Sequence, residues 1–293
     1  SGNEAIARGA WEAGVRVCSA YPGTPSTEIF EALPQYAGDL YCEWAPNEKV
    51  AAEVAYGAAI SGVRSLCAMK HVGVNVAADP LFTAAYNGVA GGFVVITADD
   101  PSMHSSQNEQ DNRYYARAAQ VALVEPSDSQ ECIDFFKRGI PDLGAVRYAG
   151  PVPYHHPDLS LQEPDGPWEA GIGACGGLYP GTLPKSVSSP ANAYRNHPKV
   201  EQNLMELERY GNTSPLNKVE RRGRKLGVIT ASVAYQYAKD AFPEDTSFLK
   251  LGLTYPLPME LIREFAASVE TLYVIEELEP FMEEQIKPLE FLA

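Results

Sequence analysis

The feature that most constrains this chain is an alternation. Short apolar runs of strand type recur along it, helix-like sequence separates them, and polar clusters follow them. Residues 15–21 read as a strand that enters a Pro-Gly-Thr-Pro-Ser turn and a helix start, with Thr24 or Ser26 as the cap. Residues 40–44 form a second run. Residues 65–69 form a third, which delivers Lys70, His71 and Gly73. Residues 92–98 are the clearest buried strand, followed by Asp99-Asp100-Pro101-Ser102 and a polar stretch over 104–111. Residues 121–124 precede a helix capped by Ser127 and running to Arg138. Strands that alternate with helices imply a mostly parallel sheet covered on both faces. Such sheets bind ligands beyond the carboxyl ends of their strands, where the polar clusters fall here.

One helix start carries a candidate acid. In Pro46-Asn47-Glu48-Lys49-Val50, Pro46 suits a first turn and Glu48 stands at the positive end of the helix dipole. Val50, Val54, Ala58 and Ser61 share a face, and Ala55, Gly57, Ala58 and Ala59 permit close approach of a backbone or a flat ring. Two readings stand together. Glu48 is a solvated acid at a helix end, or it is presented for one firm hydrogen bond to a bound heterocycle.

Composition excludes several classes. A net charge of −15 argues against a nucleic-acid partner. The five cysteines (18, 42, 67, 132 and 175) include no C-x-x-C pair, so neither a zinc site nor an iron–sulfur ligand set is visible. Free thiols in a cytoplasmic protein are expected. No apolar run approaches the roughly 18 residues a membrane span needs, and no secretory leader is expected.

Texture changes at Gly139. Of the 52 residues from 139 to 190, 18 are Gly or Pro, and no helical or strand period is sustained. Order resumes with a polar helix over 199–210. Residues 217–225, with five of the chain's 23 basic residues, read as a linker or basic edge. A second α/β unit follows: strand 226–230, helix 233–242, strand 247–251, helix 258–267 and strand 271–275, ending in Glu276-Glu277.

Five motifs in order carry a family resemblance: GNEAIARGA (2–10), YPGTPS (21–26), PNEKVAAEVAYGA (46–58), MKHVGVNVAADP (69–80) and DDPSMHSSQNEQDNR (99–113). Together they resemble the alpha subunits of indolepyruvate ferredoxin oxidoreductases, which are thiamine-diphosphate-dependent 2-oxoacid:ferredoxin oxidoreductases. The likeness covers about residues 2–138 and 191–290. It implies an α/β fold in which residues 1–138 are a thiamine pyrimidine-binding domain. Residues 139–190 are then an atypical stretch, 191–225 a linker, and 226–293 a smaller transketolase C-terminal-like α/β domain.

By this resemblance Glu48 is the catalytic acid. Its carboxyl group would hydrogen-bond N1′ of the aminopyrimidine and favour the imino tautomer, whose nitrogen takes the proton from thiazolium C2. Pro22, Gly23 and Thr24 would form the cofactor corner. Thr24, Lys70 and His71 would face the 2-oxoacid carboxylate, with Ser105, Ser106 and Gln107 lining the same cleft. The implied partners are a beta subunit, ferredoxin, a 2-oxoacid and coenzyme A, in an oligomer. The family subunit is about twice this length. Its Mg2+-holding diphosphate domain and its iron–sulfur domain are not in this sequence, so no metal ligand is assigned and the chain alone is expected to be inactive. After the helix ending at 138 the family places a strand and a polar turn. Shifting the reading frame by one base over 141–161 gives something close to that pattern, so 139–190 is expected to be an insertion or a frameshifted segment. Two alternatives remain: a non-catalytic assembly module, and a related subunit with another 2-oxoacid.

Overall fold

The structure is a computed structural model that describes residues 1–143, 145–149 and 189–288. In chain order its first part comprises α1 (Gly2–Glu12), β1 (Val17–Ala20), α2 (Thr27–Ala32), β2 (Tyr41–Trp44), α3 (Glu48–Ile60), β3 (Ser65–Lys70) and α4 (Gly73–Asn87). It continues with β4 (Phe93–Ala98), α5 (Arg113–Ala119), β5 (Ala122–Val124), α6 (Ser129–Leu143) and β6 (Ala145–Ala149). Then come α7 (Pro190–Thr213), β7 (Lys218–Glu220), β8 (Leu226–Ala231), α8 (Ala234–Ala241), β9 (Ser247–Leu251) and β10 (Leu253–Tyr255). The last elements are α9 (Met259–Ala266), β11 (Thr271–Ile275) and α10 (Phe281–Ile286).

Seven strands form the larger sheet in the order β10-β5-β6-β4-β3-β1-β2, parallel except for β10. Alternate residues of its strands face opposite layers. Cys18, Ala20, Leu66, Ala68, Val94 and Ile96 pack with Ile6 and Ala10 of α1, Ile29 of α2 and Phe136 of α6. Cys67, Met69, Phe93 and Val95 pack with Ala51 and Ala55 of α3 and Val74, Ala77 and Leu81 of α4. Burial on both faces explains why β3 and β4 are apolar throughout rather than alternating. The smaller sheet runs β11-β8-β9-β7, with β7 antiparallel. Ile229, Leu249, Leu251, Ile262, Phe265 and Phe281 build its core.

The two sheets share a strand path. After β9 in the small sheet the chain passes through Gly252 and joins the large sheet as β10. A Cβ at Gly252 would lie 2.3 Å from the Leu216 carbonyl oxygen and 2.6 Å from the Phe135 ring, so this crossing accepts only glycine without movement. Arg113 ties the same seam: its guanidinium donates to Asp111 (2.6 Å), Glu276 (2.7 Å) and the carbonyls of Glu277 and Glu279.

Several expectations change. The stretch read as lacking any period begins with regular structure: α6 extends to Leu143, and β6 sits between β5 and β4 in parallel register. Residues 144 and 150–188 lie outside the described residues. Much of the expected linker is the helix α7. It starts where the Ser189 side chain accepts the Asn192 N–H and Pro190 takes the first turn. Helices α4 and α5 were not foreseen between their strands, nor was β10. Pro80 inside α4 and the short span of α5 mask their helical pattern. Among the described residues no helix is long and apolar enough to cross a membrane.

Candidate functional site

Four neighbouring parallel strands, β4-β3-β1-β2, end on one edge of the large sheet, so the segments that follow them meet there. β1 runs into residues 21–26. The Gly23 N–H donates to the Thr27 hydroxyl (2.9 Å), and the Ser26 hydroxyl donates back to the Gly23 carbonyl (2.7 Å). Neither predicted cap acts as one: Ser26 holds the position, but its hydroxyl serves the turn. Asn3 steadies the corner by donating to the Pro25 carbonyl (3.0 Å). Pro22 and Thr24 stand exposed on its rim.

β2 leads to α3. Asn47, not Pro46, opens that helix: its side-chain oxygen accepts the Val50 N–H at 3.0 Å, and Pro46 lies just outside. Glu48 is thus the first helical residue. Its half-buried side chain lies against the start of α4, where a Cβ on Gly73 would come 2.6 Å from Glu48 Cγ and 2.7 Å from Oε1. Among the described residues the Glu48 carboxyl has no hydrogen-bond or ion-pair partner. Its charge reaches the Cys67 thiol, which burial first and Glu48 second push well above the usual thiol range.

β3 ends in Lys70, whose stem packs on Gly23; a Cβ there would sit 2.9 Å from Lys70 Cβ. The Lys70 ammonium donates to the Ser105 carbonyl, so the corner, β3 and the loop after β4 are joined. His71 is fully buried and its Nε2 lies 3.0 Å from the Asn108 carbonyl. A carbonyl can only accept, so Nε2 carries a proton, and Nδ1 is buried without a hydrogen-bond partner among the described residues.

The loop after β4 is held from inside. Asn112 donates to Thr97 (2.6 Å), to Asp99 (2.9 Å) and to the His71 carbonyl (3.2 Å). Asp100 accepts the Ser105 N–H (2.8 Å) and the Ser106 hydroxyl. Burial works against its charge, but these bonds and the Lys70 ammonium hold its carboxyl below the usual range.

The structure therefore brings Gly23, Lys70 and Ser105 into contact, and seats Glu48 beside Gly73 at the start of the helix that follows Lys70 and His71. Ser105 and Ser106 act here as loop supports, through a backbone carbonyl and through Asp100, and Gln107 is exposed. Sequence reasoning assigned no role to Thr97, Asp99 and Asn112. The only signal was that Asp99 and Asn112 fall within the 99–113 motif.

Comparisons with known proteins agree with this architecture. Residues 8–141 match the family described as pyruvate flavodoxin/ferredoxin oxidoreductase, thiamine diP-binding. The chain is 42% identical over 315 residues to "Indolepyruvate oxidoreductase subunit IorA" of Archaeoglobus fulgidus, covering 98% of this chain and 48% of that protein. It is also 42% identical to the protein of the same name from Methanothermobacter thermautotrophicus, covering 97% and 47%. The chain spans about half the length of the curated relatives it matches. The solved 2-oxoglutarate:ferredoxin oxidoreductase of Magnetococcus marinus superposes with a TM-score of 0.73 at 18% identity, over 98% of this chain and 59% of that one, a likeness of fold.

Proposed function

The chain belongs to the thiamine-diphosphate-binding family of 2-oxoacid:ferredoxin oxidoreductases, and from that premise we propose that it carries the pyrimidine-activating part of an enzyme that oxidatively decarboxylates aryl 2-oxoacids such as indolepyruvate. The observation that supports this reading is the unpartnered carboxyl of Glu48. It sits at a helix N-terminus, beside glycine backbone, at the carboxyl edge of a parallel sheet. A carboxyl that served only the fold would be expected to engage its own helix end or a cation. This one keeps its acceptor capacity for a ligand, so the residues present fit the pyrimidine end of the cofactor.

When bound, thiamine diphosphate supplies a nucleophilic carbon and an electron sink for decarboxylation. Glu48 would hold a proton between its carboxyl oxygen and N1′ of the aminopyrimidine, which raises the basicity of the adjoining exocyclic nitrogen. Gly73 leaves room for that carboxyl, since any side chain there would displace it. Gly23, with Thr24 and Pro22 on the rim, would border the ring. Lys70, held by the Ser105 carbonyl, places a cation at the same edge and would attract the 2-oxoacid carboxylate. His71 would act beside it through its ring. The loop containing Ser105, Ser106 and Gln107 would wall the cleft. No described residue of this chain is proposed to hold Mg2+ or an iron–sulfur cluster, and a beta subunit, ferredoxin and coenzyme A would be its partners.

The test is Glu48→Gln in the assembled enzyme, read by deuterium exchange at C2 of bound thiamine diphosphate. Loss of a positioned acid–base group lowers such a step by about 100- to 10,000-fold, and circular dichroism should report an unchanged fold. Unaltered exchange and turnover would leave only a scaffold role for this chain.

A further inference from the structure

β1 and β2 pair in parallel with Cys18 directly opposite Cys42. Partners on adjacent parallel strands point to the same face, and strands lie about 4.8 Å apart, inside the roughly 4.4–6.8 Å Cα separation that a disulfide spans. Both residues are free thiols. Cys18 is fully buried in the core, and Cys42 packs against that core from a half-buried position on the edge strand.

The other described cysteines, Cys67 and Cys132, are fully buried like Cys18, and burial pushes both thiols up; the Cys18 thiol is raised too, by its Cys42 neighbour first and burial second. The neighbouring Cys18 side chain pulls the Cys42 thiol down, against a smaller opposing effect of burial. A half-buried thiol on an edge strand, directly opposite a fully buried one, is the arrangement of a reacting and a resolving cysteine.

We propose that Cys18 and Cys42 form a peroxide-responsive dithiol, a modification site on the strands beneath the candidate site. The Cys42 thiolate attacks one oxygen of a hydroperoxide. The O–O bond breaks, Cys42 becomes a sulfenic acid, and the leaving oxygen takes a proton and departs as water or an alcohol. The Cys18 sulfur then attacks the Cys42 sulfur. The S–O bond breaks, the S–S bond forms, and the departing hydroxide takes the Cys18 proton. Two thiols lose two electrons, and the peroxide gains them. β1 delivers the corner at 21–26 and β2 delivers Asn47 and Glu48, so the bond would tie together the two strands that carry these segments. This inference stands whether or not the cofactor reading holds.

The test uses the reduced chain under native conditions with limiting hydrogen peroxide. It is followed by alkylation in denaturant and peptide mapping. The expected result is a Cys18–Cys42 peptide pair, the loss of two titratable thiols, and recovery of both with dithiothreitol. Cys42→Ser should leave Cys18 reduced, and Cys18→Ser should leave a sulfenic acid at Cys42 that dimedone captures. If Cys18→Ser does not fold, the map of the unsubstituted chain decides by itself. Retention of both thiols at peroxide doses that oxidise surface methionines would overturn the proposal. So would linkage of Cys42 to Cys175 or to a second chain.

Discussion

Two acids occupy matching places in this fold and have opposite surroundings. Glu48 lies in the first turn of α3 and Glu131 in the first turn of α6, where the helix dipole favours negative charge. Glu131 is saturated. It accepts the Ser127 N–H (2.9 Å) and hydroxyl (2.8 Å), pairs with Lys250 across the seam between the sheets, and has Lys218 at 3.3 Å. Glu48 has no such partner among the described residues. The difference teaches that position alone does not mark an acid as functional. What sets Glu48 apart from Glu131 is acceptor capacity that the described residues leave unused.

The sharpest way to break this contrast is to neutralise each acid in turn. Glu131→Gln leaves the fully buried Lys250 ammonium without its charge partner. Breaking a buried pair on one side costs about 3–5 kcal/mol. Glu48→Gln removes no intrachain bond and should stay within about 0.5 kcal/mol of the parent. Guanidinium unfolding of both variants measures the difference. Equal losses would mean that Glu48 is a structural acid after all.

A pH series separates the acids of the seam by sign. Burial works against the Glu131 charge, but the Lys250 ammonium and the Ser127 hydrogen bonds hold its carboxyl below the usual range. Its contribution is therefore present above the unfolded carboxyl value and is lost as pH falls through the depressed folded one. Glu125 behaves in the opposite way. Full burial pushes it up to about 7, although Arg113 and the Thr254 hydroxyl, at 2.5 Å, favour its charged form. Its folded state holds a proton that the unfolded chain releases, so stability falls as pH rises from about 4.5 to about 7. At 1.36 kcal/mol per unit the fall is about 3 kcal/mol. Glu125→Gln should flatten this decline in urea midpoints measured from pH 5 to 8. Burial raises Glu276 and Glu277 too, so part of the slope should remain.

These pairings also show what the sequence could reveal. The strands were legible because burial on both faces makes them uniformly apolar, as in residues 65–70 and 93–98. Glu48 was legible as a helix-end acid, since Asn47, Glu48 and the small residues behind them are local in sequence. The contacts that decide its surroundings are not local. Gly73 meets Glu48 only because α4 packs on α3, and α4 itself was hidden by Pro80. The Lys250–Glu131 pair joins residues 119 positions apart, and no periodicity encodes that meeting. Ser127 was read as the cap of α6. The Asp128 side chain accepts the Glu131 N–H instead (2.8 Å), and Ser127 donates to the Glu131 carboxyl.

The smallest expected effect tests the caps themselves. Asn47 accepts the Val50 N–H at 3.0 Å, and Asp128 accepts the Glu131 N–H at 2.8 Å. Alanine at either position removes a first-turn acceptor and should cost about 1 kcal/mol. The consequences beyond stability should differ. Glu131 keeps Ser127, Lys218 and Lys250 when its helix loses Asp128, so the Asp128→Ala variant should hold the carboxyl where it is. Among the described residues Glu48 has the helix start and the Gly73 surface to fix its direction. Asn47→Ala should therefore weaken thiamine diphosphate binding to the assembled enzyme several-fold at a stability cost no larger than that of Asp128→Ala. Calorimetric titration of the cofactor into both variants measures this, and equal affinities would show that α3 orients Glu48 without its cap.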